Sequence, residues 1–317
     1  DTAFVQTFKK GGDEPDIGDT YFISYNYSKA NFDTQLFTRF RTIESAYGAL
    51  SPDNPLTLAA FLAQTNGALV VGLKQVLKDT GLSTAATSKY LAALVELENP
   101  LTGNIRPDTI VPIGNSDATL LGALSQHLDI QSSIRYRAER TSIFGFASGT
   151  NPRAAQSVAQ GLGSRRMSAL YPDSVIVTLS DEQGQDVQHL VDGTFLAAGM
   201  AGSTSSPNID VAVPWTGRRL VGYTRLGRLL NVVEQNQTGT AGVTVLQDGG
   251  SFLRVRQGFT TDIAGAGGLN PVLTRTPSVI LIGDFVQQQT RYTLERFVGV
   301  KFLGAILSDI KGQVANL

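Results

Sequence analysis

The sequence predicts an α/β fold: a mixed, largely parallel, doubly wound sheet flanked by helices, with an added β-hairpin region and C-terminal helices. Three observations predict it. From Leu73 to Leu170, short apolar runs alternate with helical stretches long enough for parallel βαβ crossovers. The runs are bounded by capping and turn residues, as buried strands are. Farther on, Asp248-Gly249 separates two apolar segments, the signature of a hairpin.

Residues 1–20 are polar and turn-rich and read as a linker or the remnant of an upstream element. The core is expected over 21–317, with the doubly wound part at about 68–180 and a less regular part at about 181–317. Tyr21–Ser28 alternates aromatic or apolar with polar residues, a strand pattern. The turn Ser51–Pro55 opens a helix that Gly67 stops. Ala68–Val76 reads as a buried strand. Ser83–Glu98 is a helix with Tyr90, Leu91, Leu94, Val95 and Leu97 at helical spacing. Thr109–Ile113 is a short strand, and Asn115 or Ser116 caps the helix after it. Arg140–Ala147 is a strand. Pro152 sits in the first turn of the next helix, where its missing N–H costs nothing. Ser168–Tyr171 and Val175–Leu179 are strands. Helices are expected at Leu190–Ala201 and Leu226–Gln235, the second carrying Arg228, with an extended loop at Ser203–Pro214 between them. Gly242–Leu246 and Phe252–Arg256 form the hairpin. A flexible Ala264–Leu269, a strand at Val279–Ile282 and helices at Gly283–Phe297 and Lys301–Ala315 close the chain.

Composition excludes several classes. Hydrophobic residues make up 42% of the 317, enough for a sizeable core. No apolar run approaches the roughly 18 residues that cross a bilayer, so no membrane partner is expected. The net charge is −1, which argues against a protein that coats nucleic acid. Charged residues are only 17%, against roughly 25% in an ordinary soluble domain. That deficit admits two readings, surface hidden against neighbours or compositional drift. With no cysteine, disulfides, thiolate chemistry and Cys-based zinc sites are excluded.

The search for chemistry finds little. Gly161-Leu162-Gly163 has two glycines of a dinucleotide fingerprint, but it ends a helix where the fingerprint must open one. No Gly-Lys-Ser or Gly-Lys-Thr occurs, so there is no P-loop. His127 and His189 are isolated and have no i, i+4 partner for zinc; His127 reads as a hydrogen-bonded or solvated helix residue. Ser148 lacks the spacing of a nucleophile elbow. No catalytic, cofactor-binding or metal-ligating residue is assigned. The basic cluster Arg218, Arg219, Arg225 and Arg228 reads as a solvated face, as a docking surface for an acidic partner, or, without aromatic interleaving to support it, as a nucleic-acid contact.

Read in order, the segments resemble those of phage contractile-tail sheath proteins. Tyr21–Tyr27 is similar to their YxVSYxY strand, and Asn54–Ala60 leading to Asn66-Gly67-Ala68 to their NPLxLAA…NGA segment. Arg140–Gly145, Ser168–Pro172, Val191–Met200, Ser206–Trp215 and the hairpin Gly242–Arg256 follow in the family's order. The hairpin's end departs from the pattern, reading Arg256-Gln257-Gly258-Phe259-Thr260, and Asp262–Pro271 is unusually glycine-rich. These departures point to a divergent member, as in a giant phage or a related contractile injection system.

The resemblance implies a mechanical role without cofactors. Subunits stack helically around an inner tube above a baseplate, are laced by donated strands, and contract by rigid-body rearrangement to drive genome delivery. It places the protein in the virion tail, and in the host cytoplasm during assembly. It also implies a fragment lacking its terminal arms, monomeric alone, with Lys301 and Lys311 as tube-facing candidates. An α/β enzyme or ligand-binding domain with scattered site residues, and another structural protein of a virion or secretion machine, remain as alternatives.

Overall fold

A computed structural model describes residues 34–77, 85–100, 105–180, 184–250, 252–265, 271–298 and 304–315. The expected strand Tyr21–Ser28, the linker 1–20, most of Ala264–Leu269 and Lys301 lie outside the described residues.

The chain enters as a ribbon, β1 (Gln35–Phe37), followed by α1 (Phe40–Tyr47) and α2 (Pro55–Thr65). Asn54 caps α2 by accepting from Thr57 N, with Pro55 at its first position. β2 (Val71–Leu73) pairs antiparallel with β1. Next come α3 (Thr87–Glu96), β3 (Thr109–Ile110), α4 (Ala118–Gln131), β4 (Thr141–Phe144), α5 (Pro152–Leu162) and β5 (Met167–Tyr171). Asp117 and Asn151 cap α4 and α5 through their side chains. The chain then builds β6 (Ser174–Ser180), β7 (Asp186–Asp192), α6 (Thr194–Thr204), β8 (Arg219–Leu220), β9 (Arg225–Leu226) and α7 (Val232–Thr240). It returns through β10 (Val243–Asp248) and β11 (Leu253–Gln257), and ends in α8 (Pro271–Arg275), α9 (Pro277–Leu294), a 3-10 turn at Glu295–Phe297, and α10 (Gly304–Ala315).

The main sheet is mixed, in the order β3-β4-β5-β10-β11-β8. β3, β4, β5 and β10 are parallel; the hairpin β10–β11 and the pair β11–β8 are antiparallel. Side chains of the parallel strands alternate between two cores. Phe144, Met167, Ala169, Tyr171 and Val243 face α3, α4 and α5, packing on Leu94, Leu121, Leu124 and Ala159. Ile143 and Leu170 face the other way, onto Leu58 and Leu62 of α2 and Leu196 and Met200 of α6. Both crossover helices, α4 and α5, thus lie on one face, and α2 with α6 covers the other. A second, antiparallel sheet of order β7-β6-β9 lends Val175, Val177 and Leu226 to the α6 side.

The predicted strands at Arg140–Ala147, Ser168–Tyr171 and the hairpin are found in the main sheet, the first trimmed to Thr141–Phe144, the second starting at Met167, and the hairpin strands displaced by one or two residues. Several expectations change, among them the helix at Leu226–Gln235, which is a strand at Arg225–Leu226 followed by a helix from Val232, and the cap of α4, which is Asp117. Only Val71–Leu73 of the expected strand Ala68–Val76 is extended, and it pairs with β1 outside the main sheet; Leu69 and Val70 are exposed. Val175–Leu179 belongs to the antiparallel sheet. Leu190–Asp192 lies in β7, so the small-residue helix starts at Thr194. Val279–Ile282 lies within α9, which Pro277 opens at its first position, where the fixed φ of proline suits a helix and its missing N–H costs nothing.

Close backbone approach explains the small residues of α6. A Cβ on Gly202 would fall 2.0 Å from the Ala63 carbonyl oxygen of α2, so the two helices touch backbone to backbone. At the other end of α6, a Cβ on Gly145 would fall 2.0 Å from the Gly193 carbonyl oxygen.

α9 is held by charge. Arg166, just before β5, donates two hydrogen bonds to Asp284, at 2.7 and 2.9 Å, with both side chains nearly buried. Arg291 of α9 pairs with the buried Glu139. Arginines thus stand at the amino ends of all three leading parallel strands, Arg106 ahead of β3, Arg140 ahead of β4 and Arg166 ahead of β5.

Two predictions follow from this packing. Gly202→Ala should cost about 1–3 kcal/mol by overpacking. Gly122→Ala in α4, where nothing lies within 4 Å of the added Cβ, should gain roughly 0.5–1 kcal/mol by propensity; urea denaturation of the pair reads the contrast. Asp284→Ala should cost about 3–5 kcal/mol by stranding the Arg166 charge, while the double replacement Arg166→Met with Asp284→Leu should recover most of that loss. Thermal melts of the single and double variants check this.

Candidate interaction surface

In a parallel α/β sheet, ligands sit outside the carboxyl ends of the strands. Here side chains of the fold occupy that end. Asp173, just past β5 and only 1% exposed, accepts from Gly149 N at 2.7 Å and from Arg228 Nε at 2.9 Å. Asp192 accepts from Ser148 N at 2.9 Å. The Tyr171 hydroxyl donates to the Thr150 carbonyl at 2.9 Å. Burial and the neighbouring Asp173 charge push that phenol's pKa up, so it remains a donor. In the loop before α5, the Ser148 and Gly149 N–H groups are bound to carboxylates, Ala147 N–H to the Ser116 hydroxyl and Thr150 N–H to the Ala147 carbonyl. Gly163 closes α5 in the left-handed conformation (φ 49°), as a helix stop does.

His127 is buried in α4, and Arg140 Nη1 lies 3.0 Å from its Nε2. A guanidinium can only donate, so Nε2 carries the lone pair and the ring is neutral. Burial, and then the Arg140 charge, push its pKa down to about 4. Arg140 also donates to the Leu97 carbonyl at 2.7 Å, and burial brings its own pKa down to about 10. His189 lies on β7, opposite Val177. Among the described residues, no three His, Asp or Glu side chains gather to hold a metal ion.

The four clustered arginines do not share a helix. Arg218 is buried, and its guanidinium donates to the Ser203 and Val213 carbonyls at 3.2 and 2.9 Å, pinning the loop after α6. Arg219 lies exposed on β8, 4.4 Å over the Phe252 ring. Arg225 is exposed on β9. Arg228 precedes α7 and is tied to Asp173, which raises its pKa. Lys311 is exposed on α10. Arg219, Arg225 and Lys311 therefore point outward, while Arg218 and Arg228 hold the fold.

Sequence reasoning missed two other surfaces. One combines the open edge strand β7 with apolar residues beside it. Leu190 lies against Gly227, and Leu229 (72% exposed), Val232 and Val233 follow at the start of α7. The apolar pair Leu229-Leu230, standing just outside the capping residue Asn231, was the available signal. The other is a groove of about 450 Å³ beside β3, lined from Arg106 ahead of that strand to Ile113 past its carboxyl end.

Among the described residues, Asp173, Asp192 and Arg228 fill the crevice beyond β5, and the edge of β7 and its apolar neighbours face outward. No family model matches the sequence, and no curated protein matches it. Solved structures do match, and the fold is that of contractile sheath proteins. One is a chain of the sheath complex of an extracellular contractile injection system (PVC) in the contracted state, with a TM-score of 0.62 and 12% identity over 92% of this chain and 71% of the other. Another comes from the anti-feeding prophage baseplate, with a TM-score of 0.57 and 18% identity over 82% and 63%. A third is the sheath tail protein of Desulfitobacterium hafniense, with a TM-score of 0.50 and 12% identity over 72% of this chain and 50% of that one. This chain therefore spans half of the Desulfitobacterium chain and 63% of the prophage chain.

His127 gives a pH prediction. Its folded pKa, about 4, lies below the ordinary 6.5. Its contribution to stability is therefore complete above pH 6.5 and is lost as pH falls toward 4, where only the unfolded chain takes up the proton. The loss should reach about 2–3 kcal/mol, and His127→Gln should flatten stability between those two pH values in urea titrations.

Proposed function

We propose that this chain is a structural subunit of a contractile sheath, acting through contacts with copies of itself and carrying out no catalysis. The observation that carries the reading is the sheath fold extending over 92% of the chain, in the segment order that its sequence motifs already followed. The filled crevice beside β5 supports it, because Asp173, Asp192 and Arg228 occupy the place where an α/β enzyme would seat a ligand.

In this reading the neighbours are other sheath subunits, an inner tube and a baseplate, and the protein resides in a phage tail or a related injection machine. The edge of β7 with Leu190, Leu229, Val232 and Val233 is a subunit-facing surface, with Arg219 and Arg225 on strands nearby. Low charge suits surfaces that are repeatedly covered. Lys311 is the described residue assigned to the tube side. Contraction would exchange contacts between rigid bodies, with no nucleotide consumed.

Negative-stain microscopy of the protein with its inner tube tests the reading, residues 1–317 alone being expected to stay monomeric. Striated tubes of two lengths and widths are the expected result. Single globular particles under every ionic condition, with the inner tube present, would overturn it.

A further inference from the structure

The groove along β3 has an apolar floor and walls. Ile110 and Val111 line it, with Tyr90 and Leu97 from α3 and its end, and Leu36 and Leu73 from the β1–β2 ribbon. β3 is the terminal strand of the main sheet, so among the described residues its outer edge has no partner strand. An open apolar trough beside an unpaired strand edge is a seat for an added strand.

Three features of this chain indicate what occupies it. Thr34, where the described residues begin, itself lines the groove. Counting back to Tyr21 gives roughly 13 residues, a reach of up to about 45 Å when extended, so the preceding chain can run the length of the trough. Within it, Tyr21, Ile23, Tyr25 and Tyr27 alternate with Phe22, Ser24, Asn26 and Ser28, which supplies one nearly continuous aromatic face. The charges also match. Arg106 lines one end of the groove and donates to the Tyr136 carbonyl at 3.0 Å, with Arg135 and Arg137 exposed beside it. Residues 13–19 carry Asp13, Glu14, Asp16 and Asp19 and no lysine or arginine.

We propose that this groove is the docking site of the chain's own N-terminal segment, with Tyr21–Ser28 laid along the outer edge of β3 and the acidic residues Asp13–Asp19 on the arginine end. The inference is independent of the sheath reading, since a failure of either leaves the other standing.

The chain has no cysteine, so engineered pairs report cleanly. Tyr25→Cys is combined with Val70→Cys in the groove or, as a control, with Leu229→Cys, an exposed position outside it. Each full chain is treated with a short bismaleimide as a mixture of labelled and unlabelled protein, and linked peptides are read by mass spectrometry. The expected result is a link within one chain at about five times or more the control yield, through the raised effective concentration of a docked segment. Equal yields for the two pairs would overturn the proposal. Links formed mainly between labelled and unlabelled copies would also overturn it, placing the segment on a second copy. Neutralising Asp13, Glu14, Asp16 and Asp19 to their amides should lower the groove yield about threefold; an unchanged yield would overturn the arginine contact.

Discussion

β5 and β10 run parallel and adjacent, pairing Ala169 with Val243 and Tyr171 with Val245, although everything from Pro172 to Gly242 lies between them in sequence. A tight turn cannot join parallel neighbours. The chain must leave at the carboxyl end of β5 and come back at the amino end of β10. That excursion builds the antiparallel sheet β7-β6-β9, then α6, which covers the face opposite α4 and α5, then α7. The hairpin β10–β11 and the edge strand β8 add to the sheet only because β10 is seated there. The two cores therefore depend on this pairing, since Val243 completes one and Leu246 with Leu253 completes the other.

The same excursion explains why the strand-end crevice is filled. β6 begins directly after β5, so Asp173 is placed where the loop before α5 offers its N–H groups, and Arg228 at the end of β9 folds back to meet it. An α/β sheet that spends those groups on its own loops gains a rigid upper rim. At the lower rim the arginines ahead of the strands do comparable work, with Arg166 and Glu139 fastening α9.

Much of the main sheet was legible because β4, β5 and the hairpin carry local signals: Pro152 and Asn151 opening a helix, and Asp248-Gly249 turning the chain. What was not legible depended on pairing partners. The apolar run at Ala68–Val76 cannot reveal that its partner is Gln35–Phe37 and that Leu69 and Val70 stay exposed. The expected helix Leu226–Gln235, carrying Arg228, does not form as such: Leu226 is a strand residue and the helix starts at a capping box formed by Asn231 and Glu234. That box is a local signal carried by the sequence, as is the amphipathic α1, with Phe40, Ile43 and Tyr47 on one side. Of the clustered arginines, the sequence could not tell Arg218, held by two carbonyls, from Arg225 in solvent, because identical side chains meet different fates through contacts far along the chain.

The contact between Gly202 and Ala63 also bears on how the molecule deforms. Most helix pairs are separated by a layer of side chains whose rotamers yield under load. Between α2 and α6 that layer is missing where main chain meets main chain. Interiors packed this way compress little, so a push delivered to α2 reaches α6, and through Gly193 the end of β4, with little displacement lost on the way. The body then behaves as a stiff strut, and any large movement has to be taken up where it meets its surroundings.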